Sequence, residues 1–138
     1  MFDRDTLSAA DLFLLAARLL LAFIFLHEGV TLALHFREAV TAMGKLGVPA
    51  PLLLGTIGLQ LLAGTAIAIG WHARAGALAL AMFCIATAFI FHTHLSIQNE
   101  LLHFEKDLAI AGGMLALAVV GSGALSVNGW AAQPKARA

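Results

Sequence analysis

Apolar residues concentrate in four runs along the chain, at residues 11–35, 51–70, 75–93 and 107–124. A bilayer core of about 30 Å needs around 20 helical residues, with a working range of about 17–25. Each run reaches or nearly reaches that length, and the connection between the second and third runs, residues 71–74, is so short that these two spans must be antiparallel neighbours. The pattern therefore predicts an all-α integral membrane protein, a four-helix antiparallel bundle that occupies residues 1–128. A polar tail is expected over residues 129–138.

The connection between the first two runs has a pattern of its own. Phe36, Val40 and Met43 recur at helical spacing within residues 36–50, with charged residues between them. A helix with one apolar and one polar face is suited to the membrane interface. The sequence therefore predicts a short interfacial amphipathic helix between the first and second spans.

Composition narrows the possible partners. Of the 138 residues, 61% are hydrophobic, which fits lipid as the surrounding solvent. The eight basic and eight acidic residues cancel, and no basic cluster stands out, so nucleic acid is not an expected partner. Cys84 is the single cysteine, and we therefore expect no internal disulfide and no dithiol redox pair. The first run lacks a signal-peptide cleavage pattern and is interpreted as a retained span.

The distribution of basic residues predicts an orientation. Four spans place both ends of the chain on one side of the membrane, and that side has a slight excess of positive charge. It holds Arg4, Arg74, Lys135 and Arg137, against Arg37, Lys45 and Lys106 on the other side. The positive-inside rule therefore predicts that both termini lie in the cytoplasm, with the protein in a bacterial-type inner membrane.

Several landmarks occur in a fixed order along residues 14–128. They are Arg18 with Phe25–Gly29, the segment Met43–Pro51, Gly70 with Arg74, and Phe104–Gly113 followed by Gly121–Ser126. In their order and spacing these landmarks resemble the DoxX/DoxD-like family of small four-helix membrane proteins. The resemblance implies the fold that the hydrophobic pattern predicts.

The chain departs from that family at a few positions. Gln60 stands in the second span where the family often has a glutamate, and Thr31 and Leu32 stand where a lysine is common. Asn128 lies near the position of a frequent aspartate. We expect Gln60 to form an interhelical hydrogen bond that holds the bundle together, in place of any proton-handling role of the glutamate.

The resemblance also implies a redox-associated context. Some members resemble small subunits of thiosulfate:quinone oxidoreductases, and others are accessory proteins of redox or metal-handling systems. The expected function is a small membrane subunit that contacts quinone, haem b or a transition metal in the outer half of the bundle. It would serve a protein partner or pair with a second copy, and whether it is itself an enzyme stays open. The alternative is a non-catalytic assembly or metal-handling accessory. A small-solute transporter is disfavoured by the short chain and the lack of an inverted repeat.

Two charged residues within the first span are the candidate catalytic groups. Glu28 lies in its outer half, where a carboxylate can exchange protons unless a cation such as Lys106 or Arg37 neutralises it. Arg18 lies about two turns into the span. It either tethers to Asp11 on the same helical face or offers a buried cation to a quinone oxygen or an anion.

Histidines supply the candidate cofactor ligands. His27, His92, His94 and His103 all fall toward the outer face of the predicted bundle, and imidazole binds haem and transition metals. On a helix, the side chains of His92 and His94 would point about 200° apart, so they could share an ion only beyond the end of the helix. The alternative is that these residues are ordinary interfacial histidines.

Overall fold

The computed structural model describes residues 7–132, and every regular element in that range is a helix. The elements are α1 (Ala9–Leu34), α2 (Phe36–Gly44), α3 (Ala50–Ile69), α4 (Ala73–Phe91), α5 (Gln98–Val120) and α6 (Val127–Ala131). The predicted all-α class is confirmed. Most of the predicted polar tail, from residue 133 onward, lies outside the described residues.

Local sequence signals set the ends of the first helices. Ser8 and Asp11 form a capping box at the start of α1, in which each side chain accepts a hydrogen bond from the other residue's backbone N–H. At the end of α3, Gly70 adopts a left-handed conformation with φ of 75°, which a glycine reaches without steric cost. The chain enters α4 three residues later, so α3 and α4 are antiparallel neighbours.

The four long helices, α1, α3, α4 and α5, share one core. Small residues are frequent in it, which lets helix backbones approach closely. In order along the chain its buried members are Ala22, Phe25, Ala63, Ile67, Ala77, Leu80, Ala81, Cys84, Ala111, Met114 and Leu117. Many larger apolar side chains face outward instead, among them Phe13, Leu20, Phe23, Leu62, Phe89 and Val119. A surface of this kind suits contact with lipid.

Helices α1, α3 and α4 are each long and apolar enough to cross a membrane. Helix α5 differs because the charged run Glu105-Lys106-Asp107 lies within it. The uncharged part, residues 108–120, is 13 residues long. It covers about 20 Å at 1.5 Å per residue, less than a bilayer core of about 30 Å. A crossing by α5 would therefore bring its charged turns into the membrane.

The predicted start of the fourth long helix is wrong. The apolar run was predicted to begin at residue 107, at the end of a charged helix start formed by Glu105-Lys106-Asp107. The helix α5 instead begins at Gln98, nine residues before Asp107. Glu100 in the first turn is favoured by the positive end of the helix dipole. Phe104 packs edge-to-face on Phe89 of α4 at 5.3 Å between ring centroids, which holds the added turns against the bundle.

The predicted helix between the first two spans is present as α2. It ends at Gly44, before the predicted limit at residue 50, and none of its residues is buried. Its apolar and polar residues separate onto different faces, as the sequence pattern indicated.

The segment after α5 contacts the end of α3 and the start of α1. The backbone N–H of Asn128 donates to the carbonyl oxygen of Gly70 at 3.3 Å. Gly123 lies against Leu14, close enough that a Cβ on the glycine would meet that side chain. The beginning and the end of the described chain are therefore at the same end of the bundle.

Candidate functional site

A cavity of about 220 Å³ lies between α1, α3, α4 and α5. It occupies the half of the bundle formed by the C-terminal part of α1 and the first part of α5. Its lining mixes apolar and polar side chains: Ile24, Phe25, Glu28, Gln60, Phe83, Cys84, Thr87, Lys106, Asp107 and Ile110. A concave site in which several polar side chains converge beside apolar ones can accept a small molecule.

Gln60 is the most buried polar group of this cavity. Gln60 is 6% exposed, and its Oε1 has no hydrogen-bond partner among residues 7–132. The interhelical hydrogen bond expected from the sequence is therefore not formed by this oxygen. A buried acceptor without a donor is uncommon and costs about 1–3 kcal/mol. A ligand or water in the cavity that donates to this oxygen would remove that cost.

Glu28 and Lys106 lie at the open rim of the cavity, and both side chains are exposed. Within residues 7–132, no ion pair within 4.0 Å joins Glu28 to Lys106 or to Arg37. The neutralising pair considered for Glu28 is thus not formed. Lys106 Nζ instead lies 3.3 Å from Nδ1 of His103.

His92 connects the end of α4 to α5. Its Nδ1 lies 3.1 Å from Glu100 Oε2, and its Nε2 lies 3.7 Å from Asp107 Oδ2. The ring also stacks on His103, with centroids 5.5 Å apart and planes at 16°. Because Asp107 lines the cavity, this polar cluster reaches the cavity wall.

The four candidate histidines do not converge on one site. His27 stacks on Phe23 at 5.9 Å, and it is exposed on a face of α1 turned away from the buried Phe25. His94 is exposed in the connection after α4. No group of three or more His, Cys, Asp or Glu side chains within residues 7–132 could hold a metal ion. The structure brings together His92 and His103 alone.

Arg18 lies at the opposite end of the bundle from the cavity. It is 1% exposed, and it donates to the carbonyl oxygens of Ser122, Leu125 at 2.8 Å and Ala68 at 3.4 Å. Ten residues of α1, about 15 Å of helix, separate it from Glu28. The two candidate catalytic residues therefore do not share a site.

In place of the tether expected between Arg18 and Asp11, each of the two residues has other hydrogen-bond partners. The Asp11 carboxylate accepts hydrogen bonds from Ser8. The partners of the guanidinium are backbone carbonyls, which lie at the end of α3 and in the segment after α5.

The DoxX profile matches residues 13–93, more than half of the sequence. The chain belongs to the DoxX family. It is similar to the inner membrane protein YqjF of Escherichia coli (strain K12), with 36% identity over 118 residues that cover 86% of this chain and 91% of YqjF. It is also similar to the inner membrane protein YphA of the same organism, with 30% identity over 128 residues that cover 88% and 91% of the two chains. No solved structure matches significantly.

These relatives and the three apolar helices make the chain a DoxX-family membrane protein of the inner-membrane type. The family likeness extends over both ends of the bundle. It covers Arg18 and Glu28 of α1, as well as Gln60 and Cys84.

Sequence reasoning missed several cavity residues of this DoxX-family protein. Gln60 was interpreted as a bundle hydrogen bond, Asp107 as part of a helix start, and Cys84 was considered for a disulfide or dithiol pair, yet all three line the cavity. Thr87 lines it as well, and its hydroxyl lies 3.0 Å from the carbonyl oxygens of Phe83 and Cys84. The one signal in the sequence was that Gln60 is the only strongly polar side chain in its span.

Proposed function

We propose that this DoxX-family protein is a redox-associated inner-membrane subunit whose cavity holds the head group of a membrane quinone and which serves a partner protein. The observation that carries the proposal is the buried Gln60 Oε1, which lines the cavity of about 220 Å³ and has no hydrogen-bond partner in the described part of the chain. A quinol hydroxyl is a hydrogen-bond donor of the kind that this oxygen lacks.

The lining fits the two parts of a quinone head group. The ring is flat and apolar, and Phe25, Phe83 and Ile110 offer apolar surface to it. The ring carries oxygens at opposite edges. Gln60 would bind one edge, and the ammonium of Lys106 would donate to an oxygen at the other, since an ammonium is a donor only.

The open side of the cavity favours a lipid-borne ligand. Glu28 on α1 and Lys106 on α5 line the cavity while both are exposed, so the opening lies between these two helices. In a bilayer that gap would face lipid or the interface. An isoprenoid tail would therefore have a route out while the head group is bound.

The side-chain geometry favours quinone over the other two ligand classes. A structural or catalytic metal is held by about three or four protein groups, and no such group of three is formed within residues 7–132. A haem would need an imidazole directed at its iron, but both ring nitrogens of His92 face carboxylates. His27 faces away from the bundle core.

The test is equilibrium binding of decylubiquinone and of its reduced form decylubiquinol, whose hydroxyl can donate to Gln60 Oε1, to the full chain in lipid nanodiscs, with lipid extraction for co-purified quinone. We expect saturable binding, and we expect Gln60→Leu to weaken the binding of decylubiquinol by about tenfold, equivalent to about 1.4 kcal/mol. The matched control is Gln98→Leu, because Gln98 is exposed at the start of α5 and does not line the cavity. Its affinity should equal that of the unmodified protein.

Two results would contradict the proposal. Equal affinity in the Gln60→Leu and Gln98→Leu proteins would remove the cavity as the binding site. Absence of both saturable binding and co-purified quinone would leave the non-catalytic assembly role as the better account. A Soret band in the visible spectrum would point to haem instead.

A further inference from the structure

Three ionisable side chains form a line from the edge of the bundle to the cavity. Glu100 in the first turn of α5 is the most exposed, with 32% of its side chain accessible. His92 at the end of α4 follows with 21%, and Asp107 follows with 17%. Asp107 is itself part of the cavity wall. The side chains therefore become less exposed from Glu100 through His92 to Asp107, and the imidazole lies between the two carboxylates.

We propose that Glu100, His92 and Asp107 form a proton relay between the cavity and the aqueous edge of the membrane. The relay rests on the proposed function for the species that exchanges protons in the cavity, a quinone and quinol couple. The line of groups itself exists without any ligand. Imidazole suits the middle position because its two nitrogens can bind and release protons on opposite sides.

Each transfer keeps the proton count balanced. A proton delivered in the cavity is held by Asp107 as the carboxylic acid and then passes to Nε2 of His92, which restores the Asp107 carboxylate. The Nδ1 proton of His92 passes to the Glu100 carboxylate, which releases it to water. The ring then carries its proton on Nε2, and a ring flip or the reverse transfer returns it to its first tautomer.

The two contacts of His92 are unequal. The 3.1 Å separation from Glu100 is a hydrogen-bond distance, whereas the 3.7 Å separation from Asp107 is too long for one. A bridging water or a small side-chain rotation would close the gap between Asp107 and His92. That step is therefore the gate of the proposed relay.

Other ionisable side chains lie beside the three residues of the relay. His103 stacks on His92 and lies 3.3 Å from Lys106 Nζ, which places a cation beside the relay. Lys106 and Glu28 are the other ionisable residues that line the cavity with Asp107, besides the Cys84 thiol. Where lipid covers the opening between α1 and α5, that side of the cavity is closed to water. Protons would then need a route through protein groups.

Cys84 provides a probe for this route that needs no ligand. Cys84 is 4% exposed and lines the same cavity as Asp107. The chain has one cysteine, so the S–H stretch in the infrared spectrum belongs to Cys84 alone. The experiment transfers the full chain in lipid nanodiscs to D₂O and follows the replacement of the S–H band by the S–D band.

We expect His92→Phe and Asp107→Asn each to slow this exchange by about tenfold or more, since a positioned proton-transfer group contributes a factor of about 10²–10⁴. External imidazole should restore the rate in a His92→Ala protein, an effect that a purely structural histidine would not show. The control is His94→Phe, because His94 is exposed in the neighbouring connection.

Unchanged exchange in either the His92→Phe or the Asp107→Asn protein would overturn the relay, provided that thermal melting shows both folded. Slow exchange that imidazole does not restore would equally overturn it. Because no quinone is present, these outcomes are independent of decylubiquinone binding. The relay and the quinone proposal can therefore fail separately.

Discussion

Arg18 Nη2 donates a hydrogen bond of 2.8 Å to the carbonyl oxygen of Leu125, 107 positions later in the chain. The same guanidinium also binds the carbonyls of Ala68 and Ser122, so one side chain joins α1, the end of α3 and the segment after α5. The carbonyl at the end of α3 carries the negative pole of the helix dipole, which favours a cation. Arg18 therefore closes the end of the bundle away from the cavity.

Replacement of Arg18 tests this closing role. Arg18→Met would leave up to three carbonyls without their donor, at about 1–3 kcal/mol for each that stays buried. We expect a lower melting temperature and faster proteolysis within residues 121–126, with unchanged decylubiquinone affinity. Arg18→Lys should recover only part of the stability, because an ammonium lacks the planar fork of donors. Lost quinone affinity at unchanged stability would instead make Arg18 a ligand-binding residue.

Gly70 also contributes to the packing at the end of the bundle that Arg18 closes. A Cβ at this position would collide with Ser126 Cβ and lie 2.6 Å from Arg18 Nη1, in a backbone conformation with φ of +75°. We expect Gly70→Ala to lower the melting temperature and to expose residues 121–126 to protease. Gly58→Ala, within α3, is the control, because no atom of residues 7–132 outside its own stretch of helix lies within 4 Å of the position that its new methyl group would take. It should be neutral or stabilising by up to about 1 kcal/mol. Equal effects of the two changes would refute the steric argument.

Much of this fold follows from the hydrophobic pattern, because lipid requires long helices whose backbone groups are satisfied internally. The start of α5 escaped prediction because its first turns, at Gln98 and Glu100, are too polar to read as a span. They are held instead by the contact between Phe89 and Phe104. Such a contact depends on how two helices pack, which a hydrophobic pattern does not specify.

The cavity was harder to predict than the fold for a related reason. Glu28 was identified from the cost of charge in a membrane, and it does line the cavity. The position of Gln60 opposite it depends on the rotation of α3 about its axis. Likewise, His92 and Asp107 meet only because α4 and α5 pack side by side. The sequence supplied the residue types, and helix packing decided which of them converge.

Glu28→Gln separates a ligand-handling carboxylate from a structural one. Breaking a buried ion pair typically costs about 3–5 kcal/mol. Glu28 has no ion-pair partner within 4.0 Å among residues 7–132, so we expect a much smaller change in the free energy of unfolding. We also expect altered decylubiquinone affinity. The control is Glu38→Gln in α2, which lies outside the cavity. A grossly unstable Glu28→Gln protein with normal affinity would identify a structural pair.

The orientation of the bundle can be tested with two reporter fusions. The segment after α5 packs against the start of α1, so both ends of the described chain lie at the same end of the bundle, and we expect them on one side of the membrane. The basic residues predict that this side is the cytoplasm. A reporter after Ala138 should then be active only in its cytoplasmic form, and one inserted after Ser96 only in its periplasmic form. Reversed activities would invert the orientation and keep the fold. Activity of both fusions on one side would show that α5 does not cross the membrane, despite its place in the shared core.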